Sequence, residues 1–413
     1  MANAFATPKV YANVGLAFLK NELVMAKLCD SEAVNAEFKP GVGTTVYVKR
    51  PPEFAIRDGA SNSGQMQDVV EGEVAVTCDK QKGVDVQFTG YEATTNVDQL
   101  LKSKVIKAAM TQIASQIDGD LIDNVKYFSN WVGTPGNLID SPADFFLAPQ
   151  RLDEMAVPMS DRNAVLTPAD GYAMAGSLLA NAALAGDTAR NALQKAKIPM
   201  LGNVDSYITQ TIPSITMGSR TASGATLING ASQNVTYASS RTTYTQSLVC
   251  DGATASKTVK AGEKITIAGV YAVNPRTKAT LTYLKQFTVT ADATSDGSGN
   301  LTLTISPPII TSGAFQTVSA APADNAAVTY LGTASTSYNF NAAFHKSAIK
   351  LVSVRPPMPF TGEADYATDP DTGLSVRYWR YSDGSADTHV HRWDVYYGTK
   401  NVDPRLGTII SGT

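Results

Sequence analysis

The chain has 413 residues, 43% of them hydrophobic and 17% charged, which is enough apolar material for one large core and a second, smaller one, so two or three folded units are expected. A net charge of -3 argues against a surface built to grip nucleic acid, which needs a concentrated excess of Lys and Arg; a protein of this charge that encloses DNA does so as a wall. Three scattered cysteines, Cys29, Cys78 and Cys250, with no Cys-x-x-Cys pair, read as reduced intracellular thiols, and with no leader pattern at the start and no 18-residue apolar run the chain is expected to stay in the cytoplasm of the cell that makes it.

Residues 10 to 35 carry apolar positions at loosely helical spacing (Val10, Val14, Phe18, Leu19, Leu23), predicting a short N-terminal helical arm. From Lys39 to about Tyr91 the pattern is strand-like. Thr44 to Val48 precedes Pro51-Pro52, and Val74 to Thr77 and Val84 to Phe88 follow a polar tip at Arg57 to Met66 containing Asp58-Gly59 and Asn62-Ser63-Gly64. This predicts one long two-stranded excursion, barely stable alone, that needs something to lie on. Val97 to about Phe128 is the clearest helix. Leu101, Val105, Ala109 with Met110, Ile113, Ile117, Leu121 and Val125 recur about every four residues, opposite Lys102, Lys104, Lys107, Gln112 and Asp118. At 1.5 Å per residue that is a rod of about 45 Å, suited to act as a spine.

Helices are predicted at Pro142 to Glu154 and Pro168 to Ala185, then a strand at Gly202 to Ile208. At about Arg220 the composition shifts to Thr, Ser, Ala and Gly, with alternating runs at Lys264 to Ala268, Gln286 to Thr290 and Leu301 to Ile305. The last two are joined through the turn Asp296-Gly297-Ser298-Gly299-Asn300. Short strands without helices predict a small barrel or sandwich, inserted within another domain. After His345 helical and mixed composition returns, with closing strands around Ser375 to Trp379 and Val390 to Tyr397.

No nucleophile elbow, phosphate-binding loop, dinucleotide fingerprint or His-Glu-x-x-His occurs. His389 and His391, with Asp387 before them, share one face of a strand as metal ligands sometimes do, but no third ligand is evident and two polar residues on a wet face is the favoured reading. Cys250 beside Asp251 would be reactive only if a cationic neighbour lowered its pKa; with no histidine near it in sequence, it reads as a structural thiol. The carboxylate pairs Asp118 with Asp120 and Asp153 with Glu154 read as solvated helix faces. Lys80 and Lys82 fall on the return strand of the hairpin, where an isopeptide link to a neighbour would need a desolvated base and an adjacent amide.

This order of arm, long hairpin, spine helix, mixed domain, β insertion and terminal strands resembles the Hong Kong 97-type major capsid proteins, an α+β fold. Gly262-Glu263-Lys264-Ile265-Thr266-Ile267-Ala268-Gly269-Val270, the Asp296 to Asn300 turn with Ile305-Ser306-Pro307-Pro308, and Arg392-Trp393-Asp394-Val395-Tyr396-Tyr397-Gly398 through Pro404-Arg405 narrow it. They are similar to the coat proteins of short-tailed phages related to the Salmonella-infecting type, which carry a telokin-like barrel. The resemblance implies an N-terminal arm (1–39), an E-loop (40–90), a spine helix and P domain (91–134), an A domain (135–220 and 345–375) interrupted by the inserted barrel (221–344), and terminal P-domain strands (376–413). It implies pentamers and hexamers of an icosahedral procapsid that matures by conformational change, a scaffolding protein, a portal protein, DNA enclosed without sequence-specific binding, no cofactor, no catalysis, and a place in the virion after assembly in the bacterial cytoplasm. Assembly roles are expected for Arg57, Asp58, Gly59, Asn62 and Gly64 at the hairpin tip and for Arg241 and Asp251 in the insertion. The alternative is another virion surface or tail protein that uses the β module as an adhesin.

Overall fold

The computed structural model describes residues 8–31, 45–56, 59–60, 66–89, 104–180, 200–385 and 388–413. In chain order the elements are α1 (Pro8–Glu22), α2 (Met25–Leu28), β1 (Thr45–Arg50), β2 (Gly72–Thr77), β3 (Lys80–Thr89), α3 (Lys104–Ile122), β4 (Asn130–Val132), α4 (Pro142–Glu154), β5 (Arg162–Leu166), α5 (Pro168–Ala180), β6 (Asp205–Ile208) and β7 (Ser214–Thr216). The central β region holds β8 (Leu227–Ile228), α6 (Tyr237–Ser240), β9 (Gln246–Asp251), β10 (Thr258–Val259), β11 (Lys264–Val273), β12 (Thr280–Val289), β13 (Ala293–Thr294), β14 (Leu301–Ser306), β15 (Val328–Tyr330) and β16 (Ser337–Asn339). The chain closes with β17 (Asn341–His345), β18 (Ile349–Val354), β19 (Glu363–Thr368), β20 (Ser375–Asp383), β21 (Thr388–Asn401) and β22 (Gly407–Ile410). The architecture is α+β, in two units: 1–48 with 75–122 and 349–400, and 49–74 with 123–348 and 401–413.

In the first unit a sheet ordered β18-β21-β20-β19, with β3 on the other edge of β21, is covered by α1 and α3. Ile106, Met110, Ile113, Ile117 and Leu121 of α3 are buried, each contributing roughly 1.5–3 kcal/mol of hydrophobic stabilisation. The arm is docked rather than free. Asp118, buried in α3, accepts hydrogen bonds from the amides of Val24 (2.8 Å), Met25 (3.1 Å) and Ala26 (3.4 Å), supplying the missing acceptor at the start of α2.

In the second unit a sheet ordered β4-β22-β17-β5-β6 packs against α4. Ser141 caps α4, its hydroxyl accepting from the Asp144 amide at 3.1 Å, with Pro142 at the first turn. The inserted module is a six-stranded sheet, β15-β11-β12-β14-β9-β8, whose ends meet at a bridge between Leu227 and Ala327, so the sheet nearly closes into a barrel. Leu248, Ile265, Ile267, Phe287, Val289, Leu303 and Ile305 fill it. The β7–β16 ladder forms its neck, where buried Glu263 accepts from Arg220 (2.5 Å) and from the amides of Gly218 (2.7 Å) and Lys260 (2.8 Å).

Several expectations are corrected. The excursion is not one long hairpin, since β2 alone pairs with β1, and β3 pairs over ten residues with β21, Lys80 opposite Tyr397 and Thr89 opposite Thr388. Period-two alternation shows that 80–89 is a strand without naming its partner, and a ten-residue ladder outbids a six-residue one. Lys80 and Lys82 therefore lie on β3. The spine α-helix ends at Ile122 and tightens into a 3-10 turn over Asp123–Tyr127, while 97–103 lie outside the described residues. At the end of the turn and just past it, side chains of the module replace helical bonding: Lys264 donates to the Lys126 carbonyl at 2.5 Å and Thr288 to the Phe128 carbonyl at 2.7 Å. After His345 no α-helix occurs among the described residues. Ile349–Val354 is rich in β-branched residues and buried on both faces, and Pro356, Pro357 and Pro359 bar helix. The expected strand at 202–208 shortens to β6 after a tight turn bridging Leu201 and Val204. Residue 344 falls inside β17, which pairs with β5 and β22 rather than with the barrel; Ala342 and Ala343 continue the module's composition, so composition does not mark that crossing. The predicted helix at Pro168 to Ala185 is α5 as far as Ala180; 181–185 lie outside the described residues.

Candidate functional site: a hairpin and its anchorage

The β1–β2 hairpin sends its exposed apolar side chains outward. Beyond Pro51-Pro52, Phe54 and Ile56 are 55% and 91% exposed, and on the returning limb Met66 and Val69 are 83% and 66% exposed. The Gln67 amide holds the limbs together, donating to the Ala55 carbonyl and accepting from the Ala55 amide, both at 2.8 Å. Lys49 and Glu71 pair at 2.5 Å.

The root of this hairpin is anchored within its own unit. Arg50 donates to the carbonyls of Val402 (2.9 Å) and Arg241 (3.2 Å) and stacks 4.5 Å above the Tyr244 ring. The Arg241 carbonyl also accepts from the Glu73 amide at 3.3 Å. Just past β1, the Glu53 carboxylate receives Arg405 at 2.6 Å and Lys278 at 3.4 Å, while Asp403 accepts from Arg405 at 2.8 Å. Val70 packs on Tyr237, Tyr244 and Ile310, and Tyr237 stacks on Phe315 at 3.6 Å. A Cβ at Gly72 would come within 2.2 Å of the Tyr237 hydroxyl, so that position excludes a side chain unless the tyrosine moves. Beneath this cluster lies Lys285, buried with its ammonium 3.9 Å from the Met155 sulfur; burial and the neighbouring Arg405 and Arg151 push it down to about 7.

Of the expected assembly residues, Arg57, Asp58, Asn62 and Gly64 lie outside the described residues. Gly59 has φ +79° with open space around it, a conformation that favours glycine. Arg241 joins the hairpin through its carbonyl rather than its guanidinium. Asp251 ends β9 opposite Leu227, away from that contact set. Sequence reading missed Arg50, Glu53, Tyr237, Tyr244, Lys278 and Arg405; the available signal was two tyrosines seven residues apart in a stretch otherwise poor in large side chains.

The chemical candidates are also relocated. His391 is not on a wet face: it sits among Tyr11, Phe88 and Tyr378, bonded to the Tyr378 hydroxyl at 2.5 Å, and burial drives it down to about 4. His389 bonds Ser382 at 2.7 Å, and among the described residues no group of three His, Cys, Asp or Glu could hold a metal. Cys250 is buried and its thiol is pushed up to about 12 by desolvation and then by Asp251. Asp118 is buried and Asp120 half-buried. The first caps α2, with burial raising it to about 6, and the second accepts from Tyr397 at 2.6 Å and faces Lys80 at 3.3 Å. Asp153 pairs with buried Arg162 at 2.7 Å, and Glu154 with Arg151 at 3.4 Å.

A family model described as P22 coat protein, gene protein 5, matches residues 10–412. A major capsid protein from Acyrthosiphon pisum secondary endosymbiont phage 1 is 24% identical over 407 residues, covering 94% of this chain and 93% of that one. Among solved structures, a chain of Mycobacterium phage Che8 is 13% identical, covers 95% of this chain and 92% of its own, and has a TM-score of 0.46. The CUS-3 coat protein I-domain is 25% identical, covers 27% of this chain and 99% of its own, and has a TM-score of 0.21.

Proposed function

Because the chain belongs to the P22 coat protein family, we propose that it is the major capsid subunit of a bacteriophage, a structural protein that works by assembling with copies of itself. The observation that carries this reading is a family match over residues 10–412, nearly the whole chain. The subunit adopts the Hong Kong 97-type arrangement and joins into pentamers and hexamers of an icosahedral procapsid, which encloses DNA and matures by conformational change. Scaffolding and portal proteins are its other partners, and assembly takes place in the bacterial cytoplasm before the protein resides in the virion. Head-to-tail contacts that close give rings, and a hairpin with four exposed apolar side chains gains stability by lying on a neighbour. Arg57, Asp58, Gly59, Asn62 and Gly64 of the excursion, and Arg241 and Asp251 in the module, contribute to contacts between copies.

The concentrated, purified chain should form shells or polymorphic particles visible by negative-stain microscopy, and a scaffolding protein should make their size uniform. A chain that stayed a sharp monomer at high concentration, with or without scaffold, would sink this reading.

A further inference from the structure

The hairpin is a two-stranded ribbon, and such ribbons twist and bend easily when held at one point. Here the attachments are several and spread apart. The Arg241 carbonyl takes one hydrogen bond from each limb, from Arg50 of β1 and Glu73 of β2. Glu53, beyond the end of β1, is held by two cations from distant stretches: Lys278 from the β11–β12 turn of the module and Arg405 from the C-terminal segment. On the returning limb Val70 and Gly72 abut Tyr237, which is itself clamped against Phe315. Two limbs pinned at a common carbonyl, with a third fixed point past the strand end, leave the ribbon no pivot.

We infer that the inserted module is a positioning latch for the hairpin, fixing the direction in which the hairpin leaves it. The latch rests on the hairpin's assembly role proposed above. Glu53 is its centre, because a carboxylate accepting from both Arg and Lys makes charge-assisted bonds that neither cation can make to the other. Without it, Lys278 loses its carboxylate, Arg405 keeps only Asp403, and the segment just past β1 loses its fixed point, which loosens the root.

The test uses the full chain. In Glu53→Gln, hydrogen exchange on the unassembled protein should quicken about tenfold at the amides of Lys49, Arg50 and Glu73 and stay unchanged in β11, β12 and β14; on assembly, particle diameters should spread. Lys278→Met and Gly72→Ala should reproduce both effects, and Glu53→Asp should restore part of the wild-type behaviour. Unchanged exchange at the hairpin root would overturn the latch, and quickened exchange with particles as uniform as wild type would overturn its positioning role. Wild-type protein that formed no particles would instead count against the coat reading, leaving the exchange measurement to decide the latch separately.

Discussion

Replacing Lys285 with methionine should stabilise the protein, and by an amount that depends on pH. The ammonium lies in the interior of the second unit against the Met155 thioether, and Arg405 and Arg151 repel it while Asp403 offsets only part of that. It loses its proton near pH 7 when folded, whereas an unfolded lysine holds it to about 10.5. Between those limits the unfolded state binds more protons, so this lysine makes wild-type stability climb as pH rises from about 7 to 10.5; below 7 both states are charged and the whole penalty is present. At ~1.4 kcal/mol per pH unit, the penalty at pH 6 is on the order of 5 kcal/mol. Methionine has nearly the volume of lysine, so little packing is lost. The variant should exceed wild type by roughly 2–5 kcal/mol at pH 6, with the gap closing toward pH 10. Urea unfolding of both proteins at pH 6, 7.5 and 9, compared pairwise, cancels every other titrating group. A difference independent of pH, or a wild type that is more stable at pH 6, would refute the assignment of a costly buried charge to this lysine.

Arg220→Ala should cost about 3–5 kcal/mol, because it strands Glu263 as a buried carboxylate; a loss under 1 kcal/mol in thermal unfolding would show that the neck does not depend on the pair. Asp118→Ala leaves three amides at the start of α2 without their acceptor and should cost about 2 kcal/mol, read as faster exchange at Val24 to Ala26, whereas unchanged exchange there would mean the arm is held by apolar packing alone. His391 should titrate near pH 4 by NMR. Since its unfolded value is 6.5, the imidazole makes stability fall as pH drops from 6.5 toward 4, and His391→Phe should flatten that fall; titration near 6.5 would place the ring in water instead.

Local signals in the sequence placed local structure well. Ser141-Pro142 and the apolar spacing after it mark α4 from end to end, and Asp296 closes its turn by accepting the amides of Ser298 and Asn300, both at 2.8 Å. What stayed hidden depends on partners far along the chain. Lys264 reads as the polar start of an alternating strand, yet it is buried, and a carbonyl 138 positions earlier accepts its hydrogen bond. Asp118 reads as the wet side of a helix until the amides of α2, more than ninety positions away, are brought to it. The hairpin anchorage was illegible for the same reason: Glu53 meets Lys278 and Arg405 at separations of 225 and 352 residues, and no periodicity encodes such a meeting.

The pairing of β3 with β21 also sets a timetable for synthesis. Thr89 leaves the ribosome about 300 residues before its partner Thr388. At ~5–20 residues per second that is a wait of roughly 15–60 s, during which a ten-residue strand offers an unzipped edge to anything nearby. The barrel strands, by contrast, all find their mates within about 100 residues, from β11 and β12, joined by a short turn, to the bridge between Leu227 and Ala327. The middle of the chain can therefore be solid while its beginning is still unpartnered. The nascent protein spends its most exposed interval waiting for its own C-terminal strands, and that interval is when a chaperone would bind it to greatest effect.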